Sequence, residues 1–234
     1  MSEVAVVSDV ARATAELFVE ATAGAVAARG RAAVALTGGS SAPALYQELS
    51  KARNIPWAQT HLFFGDERAV AASDPLSNVG LAQRGLHTEA KLHVLHGDAA
   101  DLAGEARSAA ADLRGTLGSP PRFDLVLLGL GPDGHILSLF AGVPGSAERG
   151  DEELFRAVAA PTQVEPHVAR LTLTPFLLIT ARLVVLQVAG ARKADVLARV
   201  LKAPEDLVAC PAQWLRRASG RVVVVADSEA AKGL

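Results

Sequence analysis

The residues best suited to chemistry lie in one short segment, Gly129-Leu-Gly-Pro-Asp-Gly-His135. An apolar run from Leu125 to Leu128, preceded by Asp124, leads straight into three glycines that flank Asp133 and His135. Glycines keep the backbone thin where a ligand must come close. Imidazole is a side-chain type suited to proton transfer. The plain alternative is a turn whose histidine only caps the next helix. The segment resembles a dinucleotide fingerprint superficially, since no early acidic ribose partner is evident.

Three further segments carry charge or anion-binding character. Thr37-Gly38-Gly39-Ser40-Ser41 follows an apolar run and precedes a helix opening at Ala42-Pro43. Free N–H groups at a helix start, with hydroxyls beside them, favour an anion. The competing reading is a glycine turn with a serine N-cap, and no Gly-Lys-Ser/Thr follows to make a Walker A loop. Phe63-Phe64-Gly65-Asp66-Glu67-Arg68 ends another apolar run. It reads as a solvated turn, or as a carboxylate and a guanidinium at a ligand edge, with Asp66 as base or hydroxyl acceptor and Arg68 on oxygen anions. Arg170-Leu-Thr172-Leu-Thr174 alternates like a strand, and Gly190-Ala-Arg192-Lys193 opens a helix. Arg170 and Lys193 could close a phosphate cradle with the glycine loop, or be ordinary surface cations.

The elements that must position these groups are legible as alternating apolar strands and helices. Strands are predicted at Ala32–Leu36, His61–Phe64, Leu92–Leu95, Phe123–Leu128, Arg182–Val188 and Val222–Ala226. Most are Val/Leu runs without polar alternation, the pattern of strands buried on both faces. Helices are predicted at Ala42–Ser50, Leu76–Arg84, Ala99–Leu117 and Lys193–Leu201, with an amphipathic one within Ser8–Ala28. The order implies a doubly wound, mainly parallel α/β sheet, Rossmann-like, with helices on both faces. In such sheets ligands sit at the carboxyl ends of the strands, where all four segments fall. Residues 141–165, rich in Gly, Pro and charge, read as a surface excursion with a short strand at Leu154–Val158.

Composition fits one domain over 1–234 with a large core: half of the residues are apolar. A formal net charge of −2 gives no case for nucleic acid or an anionic membrane. Cys210 is the single cysteine, so no internal disulfide forms. No secretory signal or membrane span is evident, and a cytoplasmic location is expected. His93 and His96 have an H-x-x-H spacing without a glutamate between them, so neither zinc nor a cofactor is expected. His61, His87 and His167 stand alone, Ser138 lacks a nucleophile elbow, and Cys210 reads as structural.

Taken together, Thr-Gly-Gly-Ser-Ser (37–41), Gly-Asp-Glu-Arg (65–68), Ser77-Asn78, Gly-Leu-Gly-Pro-Asp-Gly-His (129–135) with Ser138-Leu139-Phe140, Arg-Leu-Thr-Leu-Thr (170–174) and Gly-Ala-Arg-Lys-Ala (190–194) resemble the 6-phosphogluconolactonase branch of the glucosamine-6-phosphate deaminase/6-phosphogluconolactonase superfamily. The resemblance implies hydrolysis of a phosphorylated sugar lactone, with no cofactor or metal, by a monomer or weak homodimer. It implies that Thr37, Gly38, Gly39 and Ser40, with Arg170 and Lys193, hold the phosphate. His135 would be the general base, Asp66, Arg68 and Asp133 would line the sugar end, and Asn78 would support the loop after the Asp-Glu-Arg turn. Either Asp133 or Asp66 would steady the charged His135.

The same comparison separates the branches. Deaminases resembling this pattern carry an acid five places after the histidine, where this chain has Phe140, and Asp-Glu-Tyr where it has Asp66-Glu67-Arg68. An apolar side chain cannot do that acid's proton work. The remaining rivals are therefore a deaminase and a non-catalytic sugar-phosphate sensor. Two places depart from the lactonase pattern: Glu165-Pro166-His167, and Ile179-Thr180 before Ala181-Arg182.

Overall fold

The computed structural model describes residues 2–86, 88–150 and 152–234; His87 lies outside them. The strands are β1 (Glu3–Val6), β2 (Ala32–Leu36), β3 (Thr60–Phe64), β4 (Asp66–Arg68), β5 (Lys91–His93), β6 (Leu125–Gly129), β7 (Phe155–Val158), β8 (Arg170–Leu173), β9 (Leu183–Val188) and β10 (Arg221–Ala226). The helices are α1 (Val10–Arg29), α2 (Ala42–Lys51), α3 (Asn78–Gly85), α4 (Leu102–Leu117), α5 (Pro175–Thr180) and α6 (Ala194–Lys202).

Seven strands form one sheet in the order β1-β10-β9-β6-β2-β3-β5, and every pairing is parallel. The chain winds outward from β2 through β3 to β5, and in the other direction from β6 through β9 to β10. The switch point is therefore between β2 and β6, the place where an open α/β sheet leaves a crevice at its carboxyl edge. The core strands owe their positions to burial on both faces: all of Ala32–Leu36 and Leu125–Leu128 are buried.

A second sheet, β4-β8-β7, is antiparallel and was not expected from the sequence. Asp66–Arg68 is thus no solvated turn. It is a strand paired with β8, in which Glu67 is 1% exposed. Arg68 and Arg170 face each other across that pair. The helix starts also moved inward, to positions set by side-chain caps. Ser77 caps α3 through Gly80 N at 2.9 Å, and Asp101 caps α4 through Gly104 N at 2.9 Å, so neither helix begins at Leu76 or Ala99.

Two part-buried polar clusters tie elements together. Asp124, 7% exposed at the foot of β6, accepts from Ala33 N at 2.9 Å and from Arg29 at 2.7 Å, and pairs with Arg182 at 3.2 Å. Asp124→Ala should therefore lower unfolding free energy by about 1–3 kcal/mol, read as a lower urea midpoint at unchanged m-value. His61, read as standing alone, instead meets His93. Their rings share a hydrogen bond of 2.9 Å, His93 continues to Asp112 at 2.5 Å, and Phe63 stacks on His93 at 4.0 Å.

The excursion after Phe140 is held rather than loose. Ser146 Oγ donates to Phe140 O at 2.7 Å, Arg156 reaches the Gly145 and Glu148 carbonyls, and Trp214 Nε1 donates to Ala147 O at 2.9 Å. No helix among the described residues is long and apolar enough to cross a membrane.

Candidate active site

Parallel strands present their carboxyl ends along one edge, so the segments that follow β2, β3, β6 and β9 converge there. They enclose a cleft of about 550 Å³. Ten of the eleven residues singled out from the sequence line it: Thr37, Gly38, Gly39, Ser40, Asp66, Arg68, Asn78, Asp133, His135 and Lys193.

His135 closes a tight turn in which Gly131 N donates to His135 O at 2.8 Å and Gly134 N to Gly131 O at 3.1 Å. The imidazole lies where a β-carbon on Gly131 would be, so only glycine fits at 131. His135 Nδ1 is 2.5 Å from Asp133 Oδ1. A carboxylate only accepts, which assigns the proton to Nδ1 and leaves Nε2 unprotonated as the base in neutral histidine. Burial pushes the Asp133 carboxyl up, but the hydrogen bond and charge of His135 outweigh it and hold the carboxyl below its ordinary range. From outside, Arg199 donates to the Asp133 carbonyl and Ala212 N to Gly134 O at 2.9 Å. Cys210 is buried against the same turn, beside Gly134, and burial raises its thiol pKa.

Asp66 serves a different partner. Its carboxylate accepts from Ser138 Oγ at 2.6 Å and from Asn78 Nδ2 at 3.1 Å. Asn78 also donates to the Asp66 carbonyl at 2.9 Å, which orients its amide and leaves Oδ1 buried without a partner among the described residues. The Asn78 amide fills the space of a side chain on Gly38, so close approach, more than turn geometry, requires glycine there. Ser138, fully buried, was discounted as a nucleophile, and its place under Asp66 was not visible from the sequence.

Glu67 lies beneath this layer. It accepts from Arg68 N at 2.6 Å, Asn78 N at 2.8 Å, Val79 N at 2.7 Å and Ser77 Oγ at 2.8 Å. A carboxylate at the first amides of α3 satisfies orphan donors and complements the helix dipole. Burial nevertheless raises its pKa, the four bonds only partly opposing it.

In the loop after β2, Ser41 makes no side-chain cap bond to α2, contrary to the N-cap alternative. Tyr46 OH donates to Thr37 O at 2.6 Å and anchors the loop. Lys193 Nζ donates to Leu130 O at 2.7 Å. Burial lowers its pKa, with Asp133 raising it and Arg192 lowering it. Arg68 is steered by a 2.5 Å bond to Leu76 O.

Arg170 is the exception. Its residue is 2% exposed and does not line the cleft, and it is no surface cation either. Its guanidinium donates to Val168 O at 2.8 Å and Pro166 O at 2.7 Å, and lies 5.9 Å from the centroid of the Phe140 ring. Burial and the charge of Arg68 lower its pKa to about 10, against the pull of Asp66 and Glu67. Arg170 therefore holds the segment whose preceding residues, Gln163, Val164 and Glu165, line the cleft. That rim was read as surface excursion, because nothing local in the sequence shows which way it folds. Gln187, also in the cleft, was hidden in a strand. Among the described residues, no group of three His, Cys, Asp or Glu could hold a metal ion.

Fold and cleft together define a doubly wound α/β protein with a switch-point cleft that holds an Asp–His pair. Residues 6–224 match the model of glucosamine-6-phosphate isomerases/6-phosphogluconolactonase, and the chain belongs to that family. The 6-phosphogluconolactonase of Mycobacterium tuberculosis is 38% identical over 208 residues, covering 83% of this chain and 82% of the relative. That of Synechocystis is 34% identical over 219 residues, covering 90% and 88%. The solved structure of 6-phosphogluconolactonase from Trypanosoma cruzi superposes with a TM-score of 0.87 at 27% identity, covering 100% of this chain and 97% of that one.

Proposed function

We propose that this chain hydrolyses 6-phosphoglucono-1,5-lactone to 6-phosphogluconate, the hydrolytic step of the oxidative pentose phosphate pathway, with His135 as general base. The observation that carries the reading is the Asp133–His135 pair placed in one cleft with the Thr37–Ser41 loop. The phosphate is held by the amides and hydroxyls of that loop and by Lys193, which sets the lactone carbonyl near His135. His135 Nε2 takes a proton from water as the water oxygen bonds to C1. Arg68 stabilises the oxyanion that forms. The C1–ring oxygen bond then breaks, and the imidazolium returns the proton to the departing oxygen. Asp133 stabilises the imidazolium throughout. The scheme is compatible with a monomer or a weak homodimer. A single free cysteine supports a cytoplasmic setting.

Phe140 weighs against the deaminase alternative. It is 3% exposed, with its ring centroid 5.0 Å from that of His135, so an aromatic ring occupies the surroundings where a second acid would act. The deciding experiment is a rapid assay on freshly made lactone, corrected for spontaneous opening, alongside ammonia release from glucosamine 6-phosphate. Lactone opening no faster than the blank would overturn the reading. Lys193→Gln is expected to raise KM about 10- to 100-fold with little change in kcat, because it removes a charged contact made equally in ground and transition states. Steady-state kinetics check this.

A further inference from the structure

Strand β9 reads Leu-Val-Val-Leu-Gln-Val, and Gln187 is its one polar residue. It is 3% exposed, yet it lines the cleft. Its Nε2 is buried with no hydrogen-bond partner among the described residues. A strand buried on both faces gains nothing from an orphaned amide, because the group loses its water without replacing it.

The sheet register shows where that amide points. Gln187 is paired with Gly129 on β6. Paired residues on adjacent strands project to the same face. The β-carbon that Gly129 lacks would lie 3.3 Å from Ser41 Oγ and 4.0 Å from Thr37 Oγ1. The bare backbone at Gly129 thus leaves room for the Gln187 carboxamide on the face that carries the two loop hydroxyls.

We infer that Gln187 is an additional ligand-binding residue, whose amide N–H donates to an oxygen of the substrate's phosphate inside the Thr37–Ser41 loop. This rests on the phosphate-clamp reading above. A phosphate dianion only accepts hydrogen bonds, so it selects the amide orientation that presents NH2 and satisfies the donor. A neutral donor here adds affinity without a further cation beside Lys193.

The test is Gln187→Leu, close in volume and without the amide. KM for the lactone should rise about 10-fold with kcat within about 2-fold, and the inhibition constant of inorganic phosphate should rise in parallel. The melting temperature should stay level or increase, since an orphaned polar group is removed. Gln187→Glu, which sets a negative charge against the phosphate, should weaken both constants further. A purely structural glutamine predicts the reverse for Gln187→Leu, a lower melting temperature with KM and phosphate inhibition unchanged, and that result would overturn the inference. Should Gln187→Leu not fold, Gln187→Met carries the same measurements. If the wild-type chain binds phosphate but opens no lactone, the function above fails. Phosphate binding by Gln187→Leu, measured by calorimetry, then still decides the role of Gln187.

Discussion

His135→Ala is expected to lower kcat by about 10²- to 10⁴-fold, the usual worth of a positioned general base, while inorganic phosphate binds within about 2-fold of wild type. The separation follows from the geometry. His135 sits on the loop after β6, and the amides proposed to bind the phosphate belong to the loop after β2. Removing an imidazole from the first leaves the second in place. The measurement is kcat on fresh lactone together with phosphate inhibition, and near wild-type turnover would remove His135 from the mechanism. The assay belongs at neutral pH. Asp133 has a depressed pKa, so its support of the imidazolium is present above the ordinary carboxylate range and disappears only as pH falls through the lower folded value. At neutral pH wild-type turnover is therefore measured with Asp133 ionised.

Glu67→Gln is expected to cost about 2–4 kcal/mol of stability, a change of one atom in a residue that never reaches the substrate. All four partners of the Glu67 carboxylate donate: Arg68 N and Asn78 N to one oxygen, Val79 N and Ser77 Oγ to the other. The glutamine NH2 can only donate, so whichever way the amide turns it opposes two donors. Ser77 cannot reverse its role freely, because its oxygen already accepts from Gly80 N. The loss should appear as a lower urea midpoint, with activity reduced as well, since Asn78 loses its anchor. Burial opposes the four bonds and leaves the pKa of Glu67 raised. Folding favours its neutral form, so this group's contribution is full below the unfolded carboxylate pKa and is lost as pH rises through the folded value. A Glu67→Gln protein as stable as wild type would show that the amide is tolerated and the four-donor account wrong.

The segments legible in the sequence share one property: their chemistry is local. Thr37–Ser41 and Gly129–His135 each hold a strand end, glycines and polar groups within a few residues, so a short window reveals them. The contributions that escaped notice arrive through tertiary packing. Ser138 is ordinary until the fold places it under Asp66. Gln163, Val164 and Glu165 reach the cleft only because Arg170 ties Pro166 and Val168 to β8. Arg170 itself was expected on the phosphate, since a cation near a phosphate loop is a natural ligand. Burial beside Phe140 and two close carbonyls commit it elsewhere.

By itself the sequence determined the α/β winding, the loops at the strand ends, the histidine of the proposed reaction and the exclusion of an acid at 140. Strand burial and glycine spacing are properties of neighbouring residues, and those survive in one dimension. Only the tertiary structure decided which carboxylate accompanies His135. Asp133 lies two residues away across a tight turn and meets Nδ1 directly. Asp66 comes from another strand, where Ser138 and Asn78 take its oxygens. A hydrogen bond depends on direction as well as proximity, and direction is set by the packing of elements far apart in the chain.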